Sequence, residues 1–256
     1  MTAPKDHTTC DAFLDGRVHI RQPKNGYRAA TDPVFLAASI PAKAGESVLE
    51  LGCGVGVVLF CLGARIPGLS LTGLELQSAY ANLARRNAQE NDINAQVVSG
   101  NLMEMPSELR AQSFDHVIFN PPFYDNAKVS APKDTGKSQA HVMVLSIENW
   151  IDAALKRLKP KGRLSFIHRT EILPQALGCL ADVAGDITVK PLTSRQDQAA
   201  KRVIISCRKG TKGPSVLLPP LVVHKGSAHS RDAGAYSDIA QSILRDGKSL
   251  PPNELP

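Results

Sequence analysis

Two short stretches bring together residue types that could do chemistry. The first is N-P-P-F, Asn120 to Phe123, at the end of the apolar run Asp115 to Phe119. Consecutive prolines cannot continue a strand ladder, so they force a rigid, exposed turn. Proline has no N–H and holds its carbonyl firmly, so this turn offers fixed hydrogen-bond acceptors. The second stretch is S-V-L-E-L-G-C-G-V-G, Ser47 to Gly56, with an apolar stretch free of further glycine from Val57 to Leu62. It reads as a buried strand, a tight glycine turn and a helix start. Gly52, Gly54 and Gly56 let the backbone approach a ligand, and the helix start aims free N–H groups into the same space. Dinucleotide turns space their glycines G-x-G-x-x-G around a pyrophosphate. Here the spacing is G-x-G-x-G, and Glu50 two positions ahead suits a cationic ligand better than a phosphate. Glu75 falls 19 positions after Gly56 at a predicted strand end, where an acidic residue accepts hydrogen bonds from ribose hydroxyls in nucleoside-binding α/β folds.

E-L-G-C-G-V-G resembles the first motif of class I S-adenosylmethionine methyltransferases, whose cofactor carries an amino-acid zwitterion and a sulfonium. Taken alone, the turn also fits an oxidoreductase or a plain glycine-rich turn. N-P-P-F resembles the (D/N/S)-P-P-(Y/F/W) motif of methyltransferases acting on planar amines or amides. The resemblance implies S-adenosylmethionine as cofactor, held by Glu50, Gly52, Cys53, Gly54, Gly56, Glu75, Leu76, Asn101 and Leu102. It implies Asn120, Pro121, Pro122 and Phe123 as the catalytic turn, and no metal. Asn101 stands where many members carry Asp against the adenine, a departure that weakens this contact.

The residue types suit amine methylation. An exocyclic amine is a poor nucleophile because its lone pair is delocalised into the ring. The Asn120 side-chain oxygen and the Pro121 carbonyl can accept its two N–H groups and stabilise positive charge developing on nitrogen. Phe123 offers a face for stacking a flipped base. G-Y-R-A-A-T-D-P-V-F-L-A-A at Gly26 to Ala38, with the other motifs, narrows the resemblance to the bacterial family that methylates adenine N6 beside the anticodon of valine tRNA. That family lays this segment over the cofactor, so Thr31 and Asp32 become implied cofactor contacts. From local pattern alone, Asp32 before Pro33 reads as a helix cap. Two enzymatic alternatives stay open, methylation of guanine N2 in ribosomal RNA or of a glutamine amide in protein. A non-enzymatic alternative is an idle RNA-binding module of the same fold.

Composition sets the frame for these motifs. The chain has 256 residues, 43% hydrophobic and 21% charged, as in an ordinary soluble globular protein. A net charge of +6 is compatible with an RNA partner and equally with a basic enzyme of small substrates. Arg17, Arg21, Lys24, Arg28, Lys128, Lys133 and Lys137 are candidate contacts for an RNA backbone. The cysteines Cys10, Cys53, Cys61, Cys179 and Cys207 are odd in number and form no C-x-x-C pair, against a disulfide framework or zinc site. The polar N-terminus and the short, interrupted apolar region Val48 to Ala64 argue against a signal peptide or membrane span. A soluble cytoplasmic protein is expected, monomer or homodimer. His19, His116, His141, His168 and His224 lack ligand spacing.

These motifs need a sheet to hold them. Strands are expected at Ser47–Leu51, Leu71–Leu76, Gln96–Ser99, Asp115–Phe119, Arg163–His168, Ile187–Leu192 and Arg202–Cys207. Helices alternate with them: one from Val57, one capped by Ser78 and running to about Asn91, one from Ile147 stopped by Pro160 and Gly162, and one over Ile172–Val183. The expected fold is α/β, a Rossmann-like seven-stranded mostly parallel sheet with helices on both faces. Residues 1–12 read as a flexible tail. Residues 13–44 form a hairpin turning at Asp15-Gly16 and a helix covering the cofactor site. Residues 45–210 form the core, and 211–256 a C-terminal extension whose helix buries Tyr236, Ile239, Ala240, Ile243 and Leu244. The polar stretch Tyr124 to Ala140 reads as a mobile loop.

Overall fold

The computed structural model describes residues 8–25, 28–122, 145–226 and 236–251. The glycine turn and the N-P-P turn both sit at the carboxyl ends of parallel strands. Strand β3 (Ser47–Leu51) pairs in parallel with β4 (Ser70–Glu75) on one side and β6 (Phe114–Phe119) on the other. β5 (Ala95–Ser99) continues the sheet beside β4, and β7 (Leu158–Arg169) continues it beside β6. β9 (Arg202–Lys209) runs antiparallel between β7 and β8 (Ala184–Thr193). These are the seven expected strands, but the sheet has nine. Two-residue strands β10 (Val216–Leu217) and β11 (Leu221–Val222) add to β8. They are too short to show any periodicity.

Side-chain alternation along β3 explains the layers. Val48 faces one core with Leu59, Phe60, Ile118 and Ile204, whereas Leu49 and Leu51 face a second with Phe119, Ile151 and Phe166. Helices α1 (Asp32–Ser39), α2 (Val57–Arg65) and α3 (Ser78–Glu90) belong to the first side, and α5 (Ile147–Arg157) and α6 (Leu173–Leu180) to the second. The one-turn α4 (Ser107–Arg110) buries Leu109 on the second side. α7 (Asp238–Leu244) buries Ala240 and Ile243 and packs on α1, while Ile239 of the expected stripe is 48% exposed. Among the described residues no helix is long and apolar enough to cross a membrane.

Four local expectations are corrected. β1 (Thr8–Phe13) pairs with β2 (Val18–Pro23), so the expected tail is already strand from Thr8, with the turn at Asp15-Gly16 as expected. The cap of α3 is Gln77, not Ser78, and it makes no side-chain cap bond. Pro160 and Gly162 do not separate α5 from the next strand. They lie inside β7, where Lys161 takes a φ of 60° and the register against β6 shifts. Such an irregularity lets the strand absorb residues that otherwise read as a stop. Finally, α1 is capped by Thr31 with no side-chain bond, and Asp32 is its first residue.

The hairpin is fastened by two amide side chains of α3. Asn87 Oδ1 accepts from the Arg21 N–H at 2.9 Å, and its Nδ2 donates to the Arg21 and Val55 carbonyls. Asn91 exchanges two bonds of 2.7 Å with the backbone of His19. The β2 edge is thus completed by side chains that imitate a neighbouring strand.

Candidate active site

A cavity of about 210 Å³ among the described residues opens where the strand order reverses between β3 and β6. Open α/β sheets place ligands at such a point, outside the carboxyl ends of the strands. The cavity is lined by Gly52 after β3, Glu75 at the end of β4, Gly100 and Asn101 after β5, and Asn120 after β6. Leu76, Gln77, Tyr80 and Leu102 add a mostly apolar wall, and Pro122, Leu145 and Trp150 stand on the Asn120 side.

The glycine turn is shaped by its own backbone. Gly52 and Gly54 have φ of 66° and 54°, in the left-handed region that favours glycine. A Cβ on Gly52 would stand 2.7 Å from the Trp150 ring, so glycine is required there by packing as well. A Cβ on Gly54 would meet nothing within 4 Å, because that position faces the open cleft. Cys53 N–H donates to the Leu74 carbonyl at 3.0 Å, tying the turn to β4.

Glu75 is the hinge of this arrangement. Its two carboxylate oxygens accept from Gly54 N–H at 2.9 Å and Gln77 N–H at 2.8 Å. A carboxylate has about four acceptor positions, so each oxygen keeps one for a ligand hydroxyl. Asn101 Oδ1 accepts from Met103 N–H at 2.9 Å. That bond fixes the side chain and commits its oxygen, so its amide N–H groups remain the part suited to a ligand acceptor.

Asn120 presents the opposite situation. Its Oδ1 is buried and has no partner among the described residues. A buried acceptor left unmade costs about 1–3 kcal/mol, so this atom is open to a donor beyond the described residues, a ligand N–H included. Pro121 is buried, and Pro122 lines the cavity. Phe123, the loop 124–140, Lys128, Lys133, Lys137 and His141 lie outside the described residues. The cleft, with its apolar wall, open glycine turn and spare Glu75 acceptor positions, fits a nucleoside-bearing cofactor of the S-adenosylmethionine type.

Other expected site residues stand apart from the cleft. Glu50 is 2% exposed, on the Val48 face of β3. Its carboxyl accepts the Leu59 backbone N–H, serving the start of α2, whose cap Gly56 has no side chain to do so. Burial pushes this carboxyl well above the usual range, and the nearby Glu75 charge adds to the shift. Burial likewise pushes the Cys53 thiol up, against a nucleophilic role. Gly56 forms the base of the turn without reaching the lining. Asp32 accepts from Arg202 Nε at 3.0 Å, and neither it nor Thr31 lines the cavity. No described residue from 13 to 44 does.

The hairpin cations are also committed. Arg21 pairs with Glu90 at 2.8 Å, Arg28 with Asp11 at 2.5 Å, and Arg17 donates to the Leu14 carbonyl. Lys24 is exposed. Among the described residues no His, Cys, Asp and Glu group could hold a metal ion.

Sequence reading missed Gln77, Tyr80, Leu145 and Trp150. The signal for the last two was present in L-S-I-E-N-W. Ser146 and Asn149 form a capping box, with Leu145 just before the cap and Trp150 at the fourth helical position. Those are the two sites of a hydrophobic staple.

Comparison with known proteins agrees with this geometry. The methyltransferase small domain family model matches residues 30–193. A Porphyromonas gingivalis tRNA1(Val) (adenine(37)-N6)-methyltransferase is 31% identical over 169 residues, covering 61% of this chain and 64% of the relative. The chain thus spans under two thirds of that relative's length. A Shewanella sp. (strain MR-4) protein of the same name is 26% identical over 205 residues, covering 77% of this chain and 85% of its own. Among solved structures, a predicted O-methyltransferase of Agrobacterium tumefaciens superposes with a TM-score of 0.70 at 19% identity, covering 87% of this chain and all of its own. The T. thermophilus 16S rRNA N2 G1207 methyltransferase, in complex with AdoMet and guanosine, gives 0.54 at 19% identity, covering 79% of this chain and 50% of its own. At these identities the two structures share the fold.

Proposed function

The chain belongs to the methyltransferase small domain family, and we propose that it methylates the exocyclic N6 amine of an adenine in tRNA, using S-adenosylmethionine. The observation that carries this reading is the buried, unpartnered Oδ1 of Asn120 at the edge of the cleft. An adenine N6 amine carries two N–H groups, and one of them satisfies this oxygen. The rigid Pro121 carbonyl is the acceptor for the other. Acceptors held in place before reaction would stabilise positive charge on nitrogen without reorganising. The cofactor supplies an electrophilic methyl group on a sulfonium. Glu75 would hold its ribose hydroxyls, Leu76, Tyr80 and Leu102 would flank its base, and the glycine turn would receive its amino-acid end. No titrating base is required, because the proton can leave to water after transfer.

The tRNA substrate, and adenine 37 of valine tRNA as its finer form, is supported by the names of the Porphyromonas and Shewanella relatives and by the N-P-P-F turn. Such a substrate places the reaction in the cytoplasm. The test uses labelled S-adenosylmethionine with separate pools of unmodified tRNA, ribosomal RNA and cytosolic protein. Label recovered from tRNA as N6-methyladenosine is expected. Label in guanine of ribosomal RNA, or in glutamine of protein, would overturn the substrate. Cofactor binding with no transfer to any pool would point to an idle RNA-binding module.

A further inference from the structure

Trp150 is the chain's only tryptophan, and it lines the cleft on the Asn120 side. The six-membered end of its indole lies against Gly52, so close that a Cβ there would be 2.7 Å from the ring. Its other neighbour is Phe119, the residue before Asn120, with ring centroids 5.5 Å apart at 43°. Phe119 in turn stacks on Phe166 at 4.6 Å, anchoring this aromatic row in the core beneath the cleft. One side chain therefore touches the glycine turn and backs the strand end that carries Asn120. It is itself fixed at the start of α5, by the Ser146–Asn149 capping box and by its position relative to Leu145.

We propose that Trp150 is a positioning residue, a wedge that sets the distance between the glycine turn and the Asn120–Pro121 acceptors. The inference rests on the methyl-transfer reading above and deepens it. Transfer between two bound groups depends steeply on their approach, and a misplacement of about 1 Å can cost about 100-fold in rate. A smaller side chain at 150 lets Gly52 and Phe119 move together or slip past each other. The half-site for each ligand stays intact, because none of the Glu75, Gly54, Asn101 or Asn120 bonds runs through the indole. Loss of the wedge therefore appears in kcat more than in ligand affinity, which separates it from a merely structural loss.

Two measurements test this. In the parent protein, S-adenosylhomocysteine added to the cleft should change the fluorescence of this single tryptophan along the same curve that calorimetry gives for binding. Trp150→Leu, which keeps apolar bulk, should then lower kcat by about 10- to 100-fold, a larger factor than its change in the calorimetric Kd for S-adenosylhomocysteine. Trp150→Phe, which keeps an aromatic ring against Gly52 and Phe119, should recover most of kcat. Binding that leaves the fluorescence unchanged, equal loss of affinity and kcat in Trp150→Leu, or no rescue by Trp150→Phe would each overturn the wedge. Failure of the substrate reading is distinct, because the parent itself would then bind cofactor and transfer nothing to tRNA.

Discussion

Two carboxylates, Glu75 in the cleft and Glu50 beneath the glycine turn, differ in how they are engaged, and that difference sorts their roles. Glu75 is already bonded to Gly54 and Gln77 and has acceptor positions to spare, so it both shapes the turn and can hold a ligand. Glu75→Ala should weaken S-adenosylhomocysteine binding by about 10- to 100-fold in calorimetry, the worth of one or two charge-assisted hydrogen bonds. Glu50 lies beside the start of α2 in a buried position, and burial raises its carboxyl well above the usual range. A carboxyl raised in the folded state stabilises fully below its unfolded range and loses that contribution as pH rises toward the folded value. Glu50→Gln should therefore fold and bind cofactor like the parent, while its melting temperature falls less on going from pH 5 to pH 8 (about one carboxylate's share of the linkage). A melting curve that tracks the parent across that range would contradict the buried neutral acid. Glu50 stands two positions before the glycine turn in sequence, and the strand's alternation puts it on the buried Val48 face, outside the cavity lining.

At the scale of elements, the strands and helices that frame the site were legible because they need particular residue types. The G-x-G-x-G turn demands residues without Cβ, and Asn-Pro-Pro demands the end of a ladder, so both were found with their strands. Trp150 was not, because a tryptophan on an amphipathic helix reads as core until the fold shows what it touches. The path of β7 through Pro160, Lys161 and Gly162 was hidden for the opposite reason. Those residues break strands locally, and only pairing with β6 and β9 on both sides carries the chain through. The seat of the hairpin was also hidden, since it depends on Asn87 and Asn91 meeting a strand edge far away in sequence. Asn87 is fully buried with three hydrogen bonds, so Asn87→Ala should destabilise the protein by about 1–3 kcal/mol in denaturant unfolding. His168, at the far end of β7, is held down to about 4 by burial. A group depressed in this way, neutral in the fold, loses stability as pH falls from 6.5 toward 4, because the unfolded chain takes up the proton first. His168→Gln should flatten that part of the parent's melting profile.

For the whole molecule, the excess of six positive charges suggests RNA only once the pairings are known. The hairpin arginines are engaged within the chain, and no described hairpin residue lines the cleft. Arg21→Gln with Arg28→Gln should leave tRNA affinity within about 2-fold and the slope of log affinity against log salt unchanged. A slope shallower by about one or more would make these residues phosphate contacts after all. The C-terminal extension, by contrast, is part of the sheet through β10 and β11 and part of a core through α7. The central claim is that Asn120 acts on the reacting amine and not on the cofactor, and one paired measurement addresses it. In Asn120→Ala, turnover on tRNA and calorimetric affinity for S-adenosylhomocysteine are compared with the parent. Turnover should fall by about 100- to 1,000-fold, the cost of losing one preorganised charge-stabilising contact, with affinity within about 3-fold. Affinity and turnover falling together would make Asn120 a cofactor residue and contradict the account.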